Sequence, residues 1–288
     1  MQNIKVDRSQ ICKLIDLALA EDLSDQGDIT SKNSIDPQKS VDFFVNTRQK
    51  LVSCTEPIAD IMFKNFDIDY QIIKKDGELV DANQTIIAGR CKALDILQIE
   101  RVFLNFIQST CGVSTITNQF VQKIKGTNAI IRDTRKTTPG MRSLQRYAVS
   151  VGGGQSYRMS LSDKILIKDN HIASCGGIIN AINRIRSSIG QDCYIAIECD
   201  NDAQVKDSAK MCVDMILLDN MSPTQLAYCV EWAKSLYPQI KLEASGGVSL
   251  QNVEEIAKTG VDYISVGMIT HSAPSKDIGI DIKDNADC

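Results

Sequence analysis

The chain has 288 residues, 43% of them hydrophobic and 24% charged, with a formal net charge of −4. That is the composition of a soluble globular protein of one large or two smaller domains, and it excludes a disordered chain. The longest apolar runs, such as Ile165–Ile167 and Met215–Leu218, fall far short of the ~20 residues that cross a bilayer, so no membrane partner is expected.

The N-terminal stretch MQNIKVDRSQICKLIDLALAED is amphipathic and lacks a signal peptide's uninterrupted apolar core. Ile11, Leu14, Ile15, Ala18 and Leu19 fall on one face of a helix over residues 9–22. Asp22–Thr30 reads as a loop in which Asp28 caps or turns. Short strands are expected at Val41–Val45, Leu51–Cys54, Tyr70–Ile73 and Thr85–Ala88, with a turn at Lys75-Asp76-Gly77. Glu56–Phe66 and Leu94–Gln108 have helical spacing, so the pattern predicts an α+β domain over about residues 1–112. The ten cysteines include no CxxC pair and no metal-ligand spacing. They read as free thiols of a reducing, cytoplasmic compartment, with Cys111 as an alternative nucleophile.

From Asn128 the grammar changes to βα repetition. Apolar runs at Ala129–Ile131, Ile165–Ile167, Tyr194–Ile197, Met215–Leu218, Lys241–Ala244 and Tyr263–Val266 alternate with helical patterns at Gly177–Ile189, Ala203–Met211, Pro223–Leu236 and Leu250–Lys258. This predicts a parallel sheet covered on both faces. No GxGxxG follows the first strand, and polar residues end every strand, which favours a barrel with one mouth over an open doubly wound sheet. Six strands are clear, and a seventh is expected near Tyr147–Val151 or after Met268.

Four constellations would meet at such a mouth. The stretch Arg132–His171 carries eight Lys/Arg against three Asp in an otherwise acidic chain. Within it, Arg135, Lys136, Arg158 and Lys168 suit a small, multiply charged anion, with a solvated basic surface as the alternative and no nucleic acid expected. Glu198 and Asp219 each end a strand; they suit Mg²⁺, or else salt bridges to the cations. Ser245-Gly246-Gly247 and Gly267 would bring backbone N–H groups to a phosphate, or simply open helices. Gly152-Gly153-Gly154 allows close approach of a ligand or of another backbone. His171 is read as orienting a strand-end loop rather than as a base.

RDTRKTTPGMR, GGGQSYRMSLSDKILIKDNHI, the IEC and LLDN strand ends, EASGG and SVG, with ALAEDLSDQGDITS, ERVFLNFIQSTCGVST and SAPSKDIGIDI, together resemble the quinolinate phosphoribosyltransferases over nearly the whole chain. The resemblance implies an N-terminal α/β sandwich (1–112, with the tail 275–288 packing back on it) and an incomplete seven-stranded α/β barrel (113–274). It implies transfer of phosphoribosyl from PRPP to quinolinate with loss of CO₂, giving nicotinate mononucleotide and pyrophosphate in de novo NAD biosynthesis. Mg²⁺ would accompany PRPP, and the protein would be a homodimer or larger, with Arg101 reaching the neighbouring site. Arg101, Arg135 and Arg158 would clamp the carboxylates; Lys136 and Lys168 would face the pyrophosphate and ribosyl centre. Glu198 and Asp219 would hold ribose hydroxyls or metal, and Ser245, Gly246, Gly247 and Gly267 the 5′-phosphate. One departure stands out: Tyr157 occupies the position where the family has His, exchanging a group of variable charge for a neutral donor. A molybdenum-transport-associated relative of this fold is disfavoured by the intact LIKDNH segment, and a non-catalytic binding protein has only Tyr157 in its favour.

Overall fold

The computed structural model describes residues 6–283. In chain order the elements are α1 (Arg8–Leu23), α2 (Ile29–Ser34), β1 (Ser40–Thr47), β2 (Leu51–Val52), α3 (Glu56–Asn65), β3 (Asp69–Ile72), β4 (Leu79–Val80), β5 (Thr85–Lys92) and α4 (Ala93–Lys123). Then follow β6 (Ile130–Arg132), α5 (Arg142–Val151), β7 (Ile165–Ile167), α6 (Asp169–Cys175), α7 (Ile178–Ile189), β8 (Ile195–Cys199), α8 (Asp202–Lys210) and β9 (Met215–Asp219). The chain closes with α9 (Pro223–Leu236), β10 (Lys241–Ser245), α10 (Val253–Lys258), β11 (Tyr263–Ser265), α11 (Met268–His271) and β12 (Ile278–Lys283).

Two compact units result. One comprises the chain through Asn118, Thr137–Gly153 and the chain from Ile269; the other comprises Gln119–Lys136 and Gly154–Met268. The first unit is built on an antiparallel sheet in the order β12-β1-β5-β3. Strict alternation along β1 turns Val41, Phe43 and Val45 inward. Their core partners come from α3 and α4: the Phe63 ring lies 5.5 Å from Phe43, 4.6 Å from Phe103 and 5.1 Å from Tyr70. Asp28 caps α2, accepting the Thr30 and Ser31 N–H groups at 3.0 Å.

The helix expected over residues 94–108 runs on to Lys123. Its second half is rich in Ser, Thr and Gly, which are weaker helix formers. Those hydroxyls turn back on the helix: Thr115 Oγ1 donates to the Cys111 carbonyl at 2.5 Å and Thr117 Oγ1 to that of Val113 at 2.7 Å. Gly112 lets the Pro274 carbonyl sit where a Cβ would be, and the Lys276 N–H donates to the Gln108 carbonyl at 3.0 Å, which leads the chain into β12. Gly152 has the same use. A Cβ there would stand 2.5 Å from the Ser114 carbonyl and 2.7 Å from Thr117, so the glycine run serves close backbone packing against α4.

The second unit is a six-stranded parallel sheet in the order β6-β11-β10-β9-β8-β7. Ile165, Ile195, Ile197, Ile216, Leu218, Leu242 and Ile264 form the apolar set beneath the helices. The alternate set, Leu166, Ala196, Met215, Leu217 and Tyr263, faces the interior with Tyr157. The seventh strand is at neither expected place. Tyr147–Val151 lies in α5, whose buried Leu144, Ala148 and Val149 recur at helical spacing, and Met268 opens α11. A one-residue parallel bridge, Arg132 to Gln155, stands there instead. It is made by Gln155 N–H to the Ile131 carbonyl at 2.8 Å and Asp133 N–H to the Gln155 carbonyl at 3.1 Å. The ring is therefore open between this segment and β7, which among the described residues pairs only with β8.

Candidate active site

In a parallel barrel every strand ends at the same rim, so the residues after the last inward apolar side chain meet in one mouth. Here that mouth is a cavity of about 520 Å³. β6 delivers Asp133 through Lys136, β7 delivers Lys168, β8 Glu198, β9 Asp219 and β10 Ser245, with Gly246 and Gly247 following. The ladders set them level: Ser245 is in register with Asp219, and Glu198 with Leu217. Tyr157 and Arg158 enter from the segment after the Gln155 bridge. Asp133, nearly fully buried, fixes that segment by accepting Ser156 Oγ at 2.5 Å and the Tyr157 N–H at 3.3 Å.

The electrostatics divide the site. On one side Arg135 and Arg158 are close enough that Arg158 is held below its usual range, first by burial and then by the like charge of Arg135. Two guanidiniums so placed favour an anion between them. Lys168 Nζ donates to Glu198 Oε2 at 2.5 Å, while its backbone N–H is held by His171 Nδ1 at 3.0 Å. On the other side Asn220, in the left-handed region at φ 53°, donates from Nδ2 to Asp219 Oδ2 at 2.6 Å and from its backbone to the Ser245 carbonyl at 2.8 Å. Gly246, at φ 88°, lies against that Asn220 side chain with no room for a Cβ.

The floor of the cavity is a buried ion pair. Arg132 Nη1 meets Glu243 Oε2 at 2.9 Å, and Ser265 Oγ donates to Glu243 Oε1. The guanidinium lies 3.0 Å from the Tyr263 ring centroid and 5.1 Å from that of Tyr157. Burial pushes the Glu243 carboxyl upward against the pull of Arg132 and Ser265. Tyr157 lines the mouth with its ring, but its hydroxyl is buried with no hydrogen-bond partner among the described residues. Burial, with Tyr194 and Glu243 nearby, raises that phenol well above its ordinary range, so it is neutral.

Among the described residues no group of three or more His, Cys, Asp or Glu could hold a metal. Glu198 and Asp219 are a two-carboxylate set on adjacent strands, each with one oxygen engaged by a neighbour. That set fits Mg²⁺ of the kind held by one or two carboxylates, water and substrate phosphate.

The sequence profile described as "Quinolinate phosphoribosyl transferase, C-terminal domain" matches residues 113–281, and the corresponding N-terminal domain profile matches residues 28–111. The chain belongs to the quinolinate phosphoribosyltransferase family. A Bacillus subtilis relative named as a probable nicotinate-nucleotide pyrophosphorylase (carboxylating) is 37% identical over 275 residues, 95% of this chain and 93% of that protein. A Mycobacterium leprae nicotinate-nucleotide pyrophosphorylase (carboxylating) is 36% identical over 92% of this chain and 94% of its own. The crystal structure of the Ehrlichia chaffeensis nicotinate-nucleotide pyrophosphorylase superposes with a TM-score of 0.90 at 49% identity, covering 94% of this chain and 98% of that one.

Of the residues singled out from the sequence, Arg135, Lys136, Tyr157, Arg158, Lys168, Glu198, Asp219, Ser245, Gly246 and Gly247 line this one cavity. Gly267 does not; Ser265, two residues earlier, does. Arg101 is on α4 in the first unit, where it lines a cavity of about 310 Å³ with Glu21, Asp22 and Met141. The fold adds Asp133, Asn220, Glu243 and Ser265, which the sequence does not single out. Glu243 had a signal: a carboxylate inside the apolar run Lys241–Ala244 needs an interior partner. The Cys111 alternative falls away, because its thiol is fully buried, accepts the Cys54 N–H at 3.3 Å and is pushed up to about 12 by burial.

Proposed function

We propose that the protein transfers the phosphoribosyl group of PRPP to the ring nitrogen of quinolinate, with loss of one ring carboxylate as CO₂, giving nicotinate mononucleotide and pyrophosphate. The observation that carries this is the single mouth in which Arg135, Arg158 and Lys168 face Glu198, Asp219 and the Gly246 turn. A dicarboxylate and a phosphorylated sugar need those two halves.

Arg135 and Arg158 bind the carboxylates as planar forks. Ser245, Gly246 and Gly247 hold the 5′-phosphate through hydroxyl and backbone N–H groups. Glu198 and Asp219 place fixed negative charge beside the ribose, where positive charge develops as the glycosidic bond breaks. Lys136 and Lys168 balance the departing pyrophosphate, and Lys168 is pre-positioned by Glu198 and by the His171 contact with its backbone. Glu198 and Asp219 would also hold Mg²⁺, which neutralises charge on the leaving phosphates. Tyr157 contributes a ring wall rather than a hydroxyl. We further infer a homodimer in which Arg101 serves the neighbouring site, and a cytoplasmic setting, which suits the free cysteines of the described residues. No helix among the described residues is long and apolar enough to cross a membrane.

The test is incubation with PRPP, Mg²⁺ and either quinolinate or nicotinate. Nicotinate mononucleotide and CO₂ are expected from quinolinate; absence of product with quinolinate under all conditions refutes the reading.

A further inference from the structure

A second cavity of about 570 Å³ opens off the mouth, sharing Arg135, Arg158, Leu166 and Lys168 with it. Its wall is the unpaired edge of β7: Ile165, Leu166 and Ile167 all line it. Two further cations line it, Lys164 from the loop and Arg184 from α7, and no Asp or Glu does. Among the described residues neither Lys164 nor Arg184 is in an ion pair.

Lys164 is held in place. Arg158 Nη1 donates to the Lys164 carbonyl at 3.1 Å, which closes the loop between them. The Lys164 Nζ lies 4.7 Å from the centroid of the Tyr157 ring. Asp163, the carboxylate beside it in sequence, is engaged elsewhere, accepting the Met159 N–H at 2.8 Å. An apolar strand edge with Arg and Lys around it and no carboxylate, next to the Tyr157 ring of the adjoining mouth, suits a planar ring bearing carboxylates. A hydrated polyphosphate would gain nothing from the apolar wall.

We propose that Lys164 is a binding residue for a carboxylate of the pyridine substrate, presenting its ammonium across the Tyr157 ring into the lobe that Arg135, Arg158 and Lys168 share. The assignment rests on the quinolinate reading above and adds a residue to it. It also gives Tyr157 a use that needs no hydroxyl: its ring face holds the cation.

The experiment compares Lys164→Met and Lys164→Arg with the wild-type protein. Initial rates are measured against quinolinate at saturating PRPP and Mg²⁺, then the reverse, and quinolinate binding without PRPP is measured by calorimetry. For Lys164→Met the quinolinate KM and Kd should rise on the order of tenfold, the loss of one charge-assisted contact. The PRPP KM and kcat should stay within about twofold. Lys164→Arg should recover most of the loss. A quinolinate KM and Kd within about twofold of wild type in Lys164→Met, or an equal rise in the PRPP KM, overturns the assignment while leaving the activity standing. Wild-type protein that neither binds nor converts quinolinate overturns both.

Discussion

Glu243→Ala probes the floor of the site. It removes the carboxylate 2.9 Å from Arg132 and leaves a guanidinium, with its side chain 10% exposed, facing a vacancy in the barrel interior. At an effective dielectric near 20, two unit charges about 4 Å apart attract by ~4 kcal/mol. Measured losses for one-sided removal of a buried ion pair are about 3–5 kcal/mol, because the surviving charge stays desolvated. The contacts of Arg132 with Tyr263 and Tyr157 remain, which places the expected loss toward the lower end, about 3 kcal/mol. Replacing both partners with apolar groups, Arg132→Met with Glu243→Leu, removes the stranded charge and should restore stability to within ~1–2 kcal/mol of wild type. Urea unfolding followed by Trp232 fluorescence is the assay. The chain has one tryptophan, and it lies on α9 in the same unit as the pair. A double-mutant cycle then gives the coupling. Additivity within ~0.5 kcal/mol, or a Glu243→Ala loss below ~1 kcal/mol, would show that the pair is not the buried interaction described.

Gly246→Ala would press a Cβ into the Asn220 side chain, bring it 2.9 Å from the Asn220 backbone nitrogen and force alanine to φ 88°. A PRPP KM at least tenfold higher is expected, on the order of 1–3 kcal/mol of strain and displacement; an unchanged KM would detach this turn from the phosphate. Tyr157→Phe deletes a buried hydroxyl with no partner, so the quinolinate KM should stay within about threefold and stability should not fall. A tenfold KM rise would show that the hydroxyl reaches substrate. For the proposed dimer, Arg101→Ala and Lys168→Ala proteins should each be nearly inactive. Mixed under subunit exchange, they should regain about a quarter of wild-type activity, since hybrid dimers carry one intact site; no recovery refutes a shared site.

Much of the site was legible because the relevant signal is local. A strand that ends in a polar residue announces itself within a few positions, and repetition of that event at Lys168, Glu198, Asp219 and Ser245 implies a common rim before any contact is known. The glycine at 246 and the basic residues at 135, 158 and 168 are local in the same sense. The motifs they belong to named the family, and profiles and relatives agree on it. The alternation of β1 and the βα grammar after residue 128 are short-range patterns too.

The rest depended on partners distant in sequence. The helix expected to end near Gln108 runs on to Lys123, where the hydroxyls of Thr115 and Thr117 bond back to their own helix. Tyr147–Val151 is β-branched enough to pass for a strand, yet burial of Leu144, Ala148 and Val149 makes it a helix. Gly152 leaves open whether a ligand or another backbone comes close, and the Ser114 carbonyl is what does. Lys164 is one charge among eight in its stretch until the edge of β7 and the Tyr157 ring lie beside it. Which residues stand at the ends of the strands follows from local sequence, because strand termination is a matter of a few neighbouring side chains. Which charges face each other and which hydroxyl turns inward follows only from the folded chain, because burial and pairing are set by residues a hundred positions away, as Arg132 and Glu243 are.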